Sequence, residues 1–325
     1  MTIVRRRSWA STAIVAFASL LFAQPGVAQE WPVKPVRLVV PYPPGGGNDI
    51  LARLLAPRLS ERWKQTVVVD NRPGAAGNLG AAEVARAAPD GHTLLIATST
   101  IAMTPGLEQK VGYDLAGDLI AVAMIGATSM VIAVNQDVPA KSLRELIALA
   151  KTKSLAYSTC GTASPMHLAG ELFKLGAGIE MLHVPYKGCA PALIDVMGGQ
   201  VPVAFNTIAN TVTHEKSGRL RILAVASNER LADFPNLPTA AEQGMTGYAA
   251  DIWFGLFAPA ATPRAATEAV NAAVNQALGE RELRERMRAQ YFEPRPAGVA
   301  AFQKFVSDET AKWTRTIRAA NIKAE

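Results

Sequence analysis

The sequence predicts an α/β protein of two lobes, each a mostly parallel sheet flanked by helices. Three observations lead there. Short β-rich runs alternate with helical stretches along most of the chain, the pattern of strands joined by crossover helices. A mature length of about 300 residues exceeds what one hydrophobic core serves. No low-complexity linker or fixed-period repeat divides the halves, so crossing strands rather than a loose tether must join them.

The first lobe opens with Val36 to Val40, a β-rich run ending in Pro41-Tyr42-Pro43-Pro44-Gly45-Gly46-Gly47. Asn48 and Asp49 are good helix-start residues, and Ile50, Leu51, Leu54, Leu55 and Leu59 follow at helical spacing, with Pro57 expected to kink that helix. Thr66 to Val69 reads as a second strand, Asn71 to Gly74 as a turn and Asn78 to Ala87 as a helix. Leu94 to Ala97 reads as a third strand.

Alternation resumes after about residue 120. Strands are expected at Met130–Val134, Leu155–Ser158, Met181–Val184, Val201–Phe205 and Ile222–Ala226. Helices are expected from Ser142 to Lys151, Ser164 to Leu175 and Ala190 to Met197. Past Ile252 to Phe257 the chain turns helical, first at Thr262-Pro263 and again from about Ala300 to Ala320. The expected organisation is residues 29–126 with about 253–298 as one lobe and 127–252 as the other. Residues 299–325 would pack across both, with a hinge at crossings near residues 125 and 252.

The first 28 residues read as an export signal. Arg5, Arg6 and Arg7 precede an apolar run from Trp9 to Phe22, and Gly26-Val27-Ala28 supplies small residues for cleavage. That run is shorter than the roughly 20 residues a spanning helix needs. Twin-arginine and general export remain alternatives, because Ser8 and Trp9 follow the Arg pair. Cleavage would remove three Arg and no acid from a formal net charge of +6, and the remaining Lys and Arg are scattered. The basic balance therefore indicates no nucleic-acid partner. The mature chain is expected to be periplasmic and monomeric.

Ligands of open α/β sheets sit beyond the carboxyl ends of the strands. Three segments occupy such places. In the first, Tyr42 to Asp49 (Tyr42, Pro44, Gly45, Gly46, Gly47, Asn48 and Asp49), glycines let backbone N–H groups approach an anion at a helix start. It lacks the Lys-Ser/Thr of a P-loop and the dinucleotide glycine spacing, and a plain tight turn is the alternative. In the second, Thr159 to Ser164, the candidates are Cys160, Thr162, Ala163 and Ser164, with a simple helix cap as the alternative. The third, His183 to Pro191, offers Tyr186, Lys187, Gly188, Cys189 and Ala190, where Tyr and Lys can orient a carboxylate. Ser99 after the third strand and Asn206 complete the candidate set.

The runs Tyr42-Pro-Pro-Gly-Gly-Gly-Asn-Asp49, Val69-Asp-Asn-Arg-Pro-Gly-Ala-Ala-Gly77, His183-Val-Pro-Tyr-Lys-Gly188, Leu237-Pro-Thr-Ala-Ala-Glu-Gln-Gly244 and Trp253-Phe-Gly-Leu-Phe-Ala-Pro259 occur in order along the mature chain. Together they resemble the periplasmic receptors of tripartite tricarboxylate transporters, the Bug (TctC) family. The resemblance implies a type II periplasmic-binding fold, a Venus flytrap, that captures a small carboxylic acid and passes it to membrane subunits, without a cofactor. It also implies that backbone groups and ordered water at Pro44–Asp49 and Tyr186–Ala190 hold a ligand carboxylate. The chain departs from the family pattern at Cys160, Ala163, Cys189 and Asn206, where an Asp is usual, so the ligand's identity does not carry over.

Two other functions share this shell. A sensor reporting to a membrane signalling partner would show the same features. A cysteine-dependent isomerase or racemase would use Cys160 and Cys189, or a Cys with His167 or His183. Both cysteines fall in one lobe, whereas two-base chemistry needs opposite faces, and no cluster has metal-ligand spacing. Glu282 and Glu285 lie on an Arg-rich helix, a solvated face. In an oxidising compartment Cys160 and Cys189 are expected to pair as a disulfide, the alternative being two free thiols that pack like small apolar groups.

Overall fold

A computed structural model describes residues 31–108 and 110–323. The export segment read at residues 1–28 lies outside them. The chain opens with β1 (Val36–Val40), then α1 (Gly47–Trp63) with Pro57 inside it, β2 (Val67–Asn71), α2 (Asn78–Ala85) and β3 (Thr93–Thr98). Two short helices, α3 (Thr100–Met103) and α4 (Leu115–Asp118), lead into β4 (Leu119–Thr128). A second sheet follows: β5 (Met130–Asn135), α5 (Leu143–Thr152), β6 (Leu155–Thr159), α6 (Pro165–Ala177), β7 (Met181–Pro185), α7 (Cys189–Met197), β8 (Val203–Thr207), α8 (Ile208–Lys216) and β9 (Leu220–Val225). The chain then returns to the first sheet through β10 (Ile252–Pro259), α9 (Arg264–Gly279), α10 (Arg281–Arg288), β11 (Glu293–Pro294) and α11 (Val299–Ala319).

The first sheet has the order β11-β4-β10-β3-β1-β2 and the second β7-β6-β8-β5-β9. Both are mixed rather than mostly parallel as the sequence reading had them. β1 runs parallel to β2 and β3, and β6 to β7 and β8, while β5, β10 and β11 pair antiparallel with their neighbours. The reversal comes from the strands that carry the chain between lobes, since each must run back against the strand it joins. β4 escaped the sequence reading altogether. Its Leu-Ile-Ala-Val-Ala-Met-Ile-Gly-Ala-Thr run is almost wholly buried, so it lacks the alternation that marks a half-exposed strand.

The registers fix which ends meet. Ile252 pairs with Thr128, and Ser99 N–H donates to Trp253 O, so the ends of β3 and β4 share an edge with the start of β10. β1 ends on the same edge because it is parallel to β3. In the second sheet Met130 pairs with Thr207, and β6 and β7 run with β8, so all three end where β5 begins. The chain crosses at Thr128–Met130 and Asp251–Ile252. The turns after β1, β2 and β3 therefore border the crossings from one side, and those after β6, β7 and β8 from the other.

α11 closes the first lobe, packing on β4 and α3, and also touches α6 of the second. Its buried Glu309 accepts from the indole N–H of Trp253 at 3.1 Å and of Trp313 at 2.9 Å, and pairs with Lys312. This carboxylate ties the C-terminal helix to β10. Glu309→Ala would leave two buried indole donors without their acceptor and the Lys312 ammonium with only Ala249 O. It is expected to cost about 3 kcal/mol, read as a lower urea midpoint at unchanged slope.

Candidate functional site

The first-lobe turn is built from the inside. The Asp49 carboxylate, 5% exposed, accepts from Gly45 N–H at 2.9 Å, from Arg53 Nε at 3.0 Å and from Asn71 Nδ2 at 3.0 Å. Burial by itself would raise its pKa, but Arg53 and these donors hold it below the ordinary carboxylate value. Asn48 Nδ2 donates to Ile96 O at 2.8 Å. Thr100 Oγ1 lies 2.6 Å from the Tyr42 hydroxyl, which donates to Ala76 O at 3.1 Å. Tyr42, Asn48 and Asp49 thus spend their side chains on shaping the turn.

What that turn presents is main chain. Pro44, Gly45 and Gly46 are exposed, Gly45 takes a φ of +88° that only glycine adopts freely, and no side chain caps α1. The first N–H groups of α1, at Gly47 onward, remain available to an anion. Gly47 is held from behind, where an added Cβ would lie 3.0 Å from Phe254 and 3.3 Å from Phe292. Ser99 is fully buried at the end of β3.

A fourth segment, which the sequence reading took for a simple turn after Asn71, lies on this edge too. Gly74, Ala75, Ala76 and Gly77 all have positive φ, of 142°, 46°, 54° and 97°. For the two alanines this is a strained conformation of order 1 kcal/mol each, and such strain gathers at ligand-binding segments. Only the Gly-Ala-Ala-Gly spelling hinted at it.

On the second lobe two turns are fused. Tyr186 N–H donates to Thr159 O and Gly188 N–H to Cys160 O. A disulfide joins Cys160 to Cys189 with their Cα atoms 4.3 Å apart. Ser164 caps α6 by accepting from His167 N–H, and donates to Gly161 O at 2.7 Å. Ala163, at φ +55°, donates its N–H to His167 Nδ1 at 3.1 Å. The His167 ring stacks on His183 with centroids 3.7 Å apart, and His183 Nε2 lies 2.7 Å from Thr159 Oγ1. Two imidazoles therefore brace the turn from below, and Thr162 is the hydroxyl left half-exposed on it.

The Tyr186 hydroxyl donates to Asp195 Oδ2 at 2.6 Å, and burial together with that bond pushes its pKa up to about 12. Tyr186 is thereby committed to α7. Lys187 and Ala190 are exposed, Gly188 has a φ of +118°, and α7 again begins without a side-chain cap. Asn206 is 1% exposed. Its Oδ1 accepts from Thr207 N–H and Asn210 Nδ2, while its Nδ2 has no partner. Among the described residues eight buried side-chain polar atoms lack a partner. Four of them, on Ser99, Thr128, Ser158 and Asn206, lie at strand ends along the crossing edge, so unsatisfied polarity concentrates there.

The arrangement suits capture of an anion by main-chain donors, one uncapped helix start from each lobe, with Lys187 adding positive charge. No group of three His, Cys, Asp or Glu among the described residues could hold a metal. With Cys160 and Cys189 bonded to each other, neither offers the thiolate that an isomerase would need.

Two outcomes follow from the bracing. Burial, with Lys174 nearby, lowers the His167 pKa to about 4 from the ordinary 6.5. Between those values the unfolded chain binds the extra proton, so this contribution is complete above pH 6.5 and is lost as pH falls toward 4. A loss of roughly 3 kcal/mol over that window is expected in pH-dependent urea unfolding, and His167→Gln should flatten it. Replacing both cysteines by Ser should lower stability by about 3 kcal/mol, because the bridge spans a sequence separation of 29.

Comparison with known proteins places this geometry in a lineage. Residues 51–322 match the tripartite tricarboxylate transporter family receptors, TctC. Protein BugT of Bordetella pertussis is 34% identical over 313 residues, covering 95% of this chain and 96% of BugT. The Rhodopseudomonas palustris protein Rpa4515, solved with adipate, is 36% identical with a TM-score of 0.76, covering 90% of this chain and 99% of its own. MatC of the same organism, solved with bound malate, is 30% identical with a TM-score of 0.72, covering 88% and 100%. The likeness extends over about nine-tenths of the chain, and the chain belongs to the TctC family of tripartite tricarboxylate transporter receptors.

Proposed function

We propose that the chain is exported to the periplasm and, as a monomer, captures a small carboxylic acid between its lobes for the membrane subunits of a tripartite transporter. The observation that carries this reading is the pair of uncapped helix starts, α1 from one lobe and α7 from the other, on the same crossing edge. Each adds partial positive charge and free N–H donors, so a carboxylate can be gripped from both sides. Relatives solved with adipate and with malate support acids of that class. The first contacts are assigned to Gly45–Asn48, and the second to Lys187–Ala190 with Thr162.

Gly46 offers a clean test. Its backbone is extended (φ −80°), and an added Cβ would find only Pro43 O within 4 Å, at 3.8 Å. Gly46→Val should therefore fold normally while covering the N–H groups of α1. Adipate and malate are expected to raise the melting temperature of the parent and not of the variant. Lys187→Ala is expected to weaken calorimetric binding only severalfold, since an exposed charge contributes about 0.5–1 kcal/mol. Equal ligand-induced shifts for parent and Gly46→Val would remove α1 from the site.

A further inference from the structure

The lobes also touch on the side of the crossings away from the ligand-facing turns. Strand order sets the two sides. β1 and β2 lie to one side of β4, with β11 on the other, and β6 and β7 lie to one side of β5, with β9 on the other. Just before β11, Tyr291 of the first lobe reaches across and packs on the second lobe's cluster of Val131, Ala133, Ile208, Val212, Ile222 and Val225. Its ring stacks on Phe234, from the loop after β9, with centroids 6.1 Å apart. Beside them Arg288 pairs with Glu293 and also feels the charge of Asp233 across the boundary. Tyr291 takes a left-handed φ of +59°, an uncommon backbone for an aromatic residue and one that costs free energy. The next residue, Phe292, lies against Gly47 and Phe254 beneath the first ligand-facing turn.

We propose that the Tyr291–Phe234 contact is an interlobe latch that holds the cleft open, making these two residues positioning residues for ligand affinity. The crossings at Thr128–Met130 and Asp251–Ile252 lie between latch and cleft. A rotation that brings the β1 and β6–β7 turns together must spread the β11 and β9 side and part the two rings. Ligand binding then works against the latch, and its apparent affinity is the intrinsic affinity multiplied by the fraction of molecules that are closed. Removing the latch raises affinity although neither residue touches the ligand. This rests on the clamp reading above, and the segment 291–292 carries the coupling, because one of its residues packs against the second lobe's core and the other lies under the first turn.

The test pairs a ligand titration with a ligand-free distance. Dyes are attached through noncanonical residues at Val68 on β2 and Leu182 on β7, exposed by 47% and 66% and both on the cleft side. Tyr291→Ala and, independently, Phe234→Ala are expected to bind adipate about three- to tenfold more tightly, the range an aromatic pair supports. Without ligand, single-molecule energy transfer should show a larger closed fraction. Tyr291→Phe, which keeps the ring, should behave as the parent, and thermal melts of all variants identify any that misfold. Unchanged or weaker adipate binding with an unchanged closed fraction in both alanine variants overturns the latch. If adipate fails to bind the parent, the carboxylate assignment falls instead, and the ligand-free closed fractions alone decide the latch.

Discussion

Among the described residues the chain passes between its sheets at two places, Thr128–Met130 and Asp251–Ile252, and the rest of the molecule depends on how those crossings are held. Ser129 donates to Ser227 at 2.6 Å, Ser227 donates to Asp251 Oδ1 at 2.8 Å, and Arg295 meets Asp251 Oδ2 at 2.6 Å. Asp251 is mostly buried, so its charge needs these partners, and each comes from a different segment. The network joins both crossings to the ends of β9 and β11. A hinge made this way can rotate, because no strand is continuous through it, yet it cannot slip register. Slippage would leave a buried carboxylate unpaired.

Fixing the crossings fixes which turns share the cleft, and the turns are then stiffened from behind. On the first lobe Asp49, Asn48 and Tyr42 face inward, and each bonds to a separate strand end or loop. On the second lobe a disulfide, two backbone bonds and the stacked His167–His183 pair do the same work. The side chains that look most chemical in the sequence are therefore committed to structure, and the proposed reading leaves backbone N–H donors to meet a ligand. Preorganised donors lose little entropy on binding, which favours tight capture without a charged pocket.

The α/β class, the two lobes and the places of the Gly-rich turns were legible because they follow from local signals. Ser142 and Ser164 both cap helices where the sequence placed them, and the Gly-rich turns fall at strand ends. Strand direction was not legible. Antiparallel return by β10 is a consequence of lobe crossing, and no residue type in Ile252–Pro259 encodes it. β4 was missed because complete burial erases periodicity, and α8 because Ile208–Lys216 is short with a weak apolar face. Side-chain roles were the least legible. Tyr186 reads as a hydroxyl free to orient a carboxylate, and only the fold brings in Asp195, nine residues on, to accept from it. The strained Gly74–Gly77 segment left only a run of small residues as its trace.

The proposed recognition through main-chain donors has a consequence for selectivity. A helix start attracts any carboxylate, malate and adipate alike, because its field reports charge and not the rest of the molecule. Discrimination among acids must then come from the length and shape of the closed cleft. Those are set by the angle the lobes reach, which the hinge network permits and the contacts on its far side oppose. A longer diacid that keeps the lobes wider apart disturbs the Tyr291–Phe234 contact less than a short one that draws them fully together. Residues remote from the ligand thereby enter its selection, and a chain can drift toward a new acid by altering the back of the hinge while its binding turns stay as they are. That division of labour fits relatives 36% and 30% identical to this chain that were solved with acids of different length, adipate and malate.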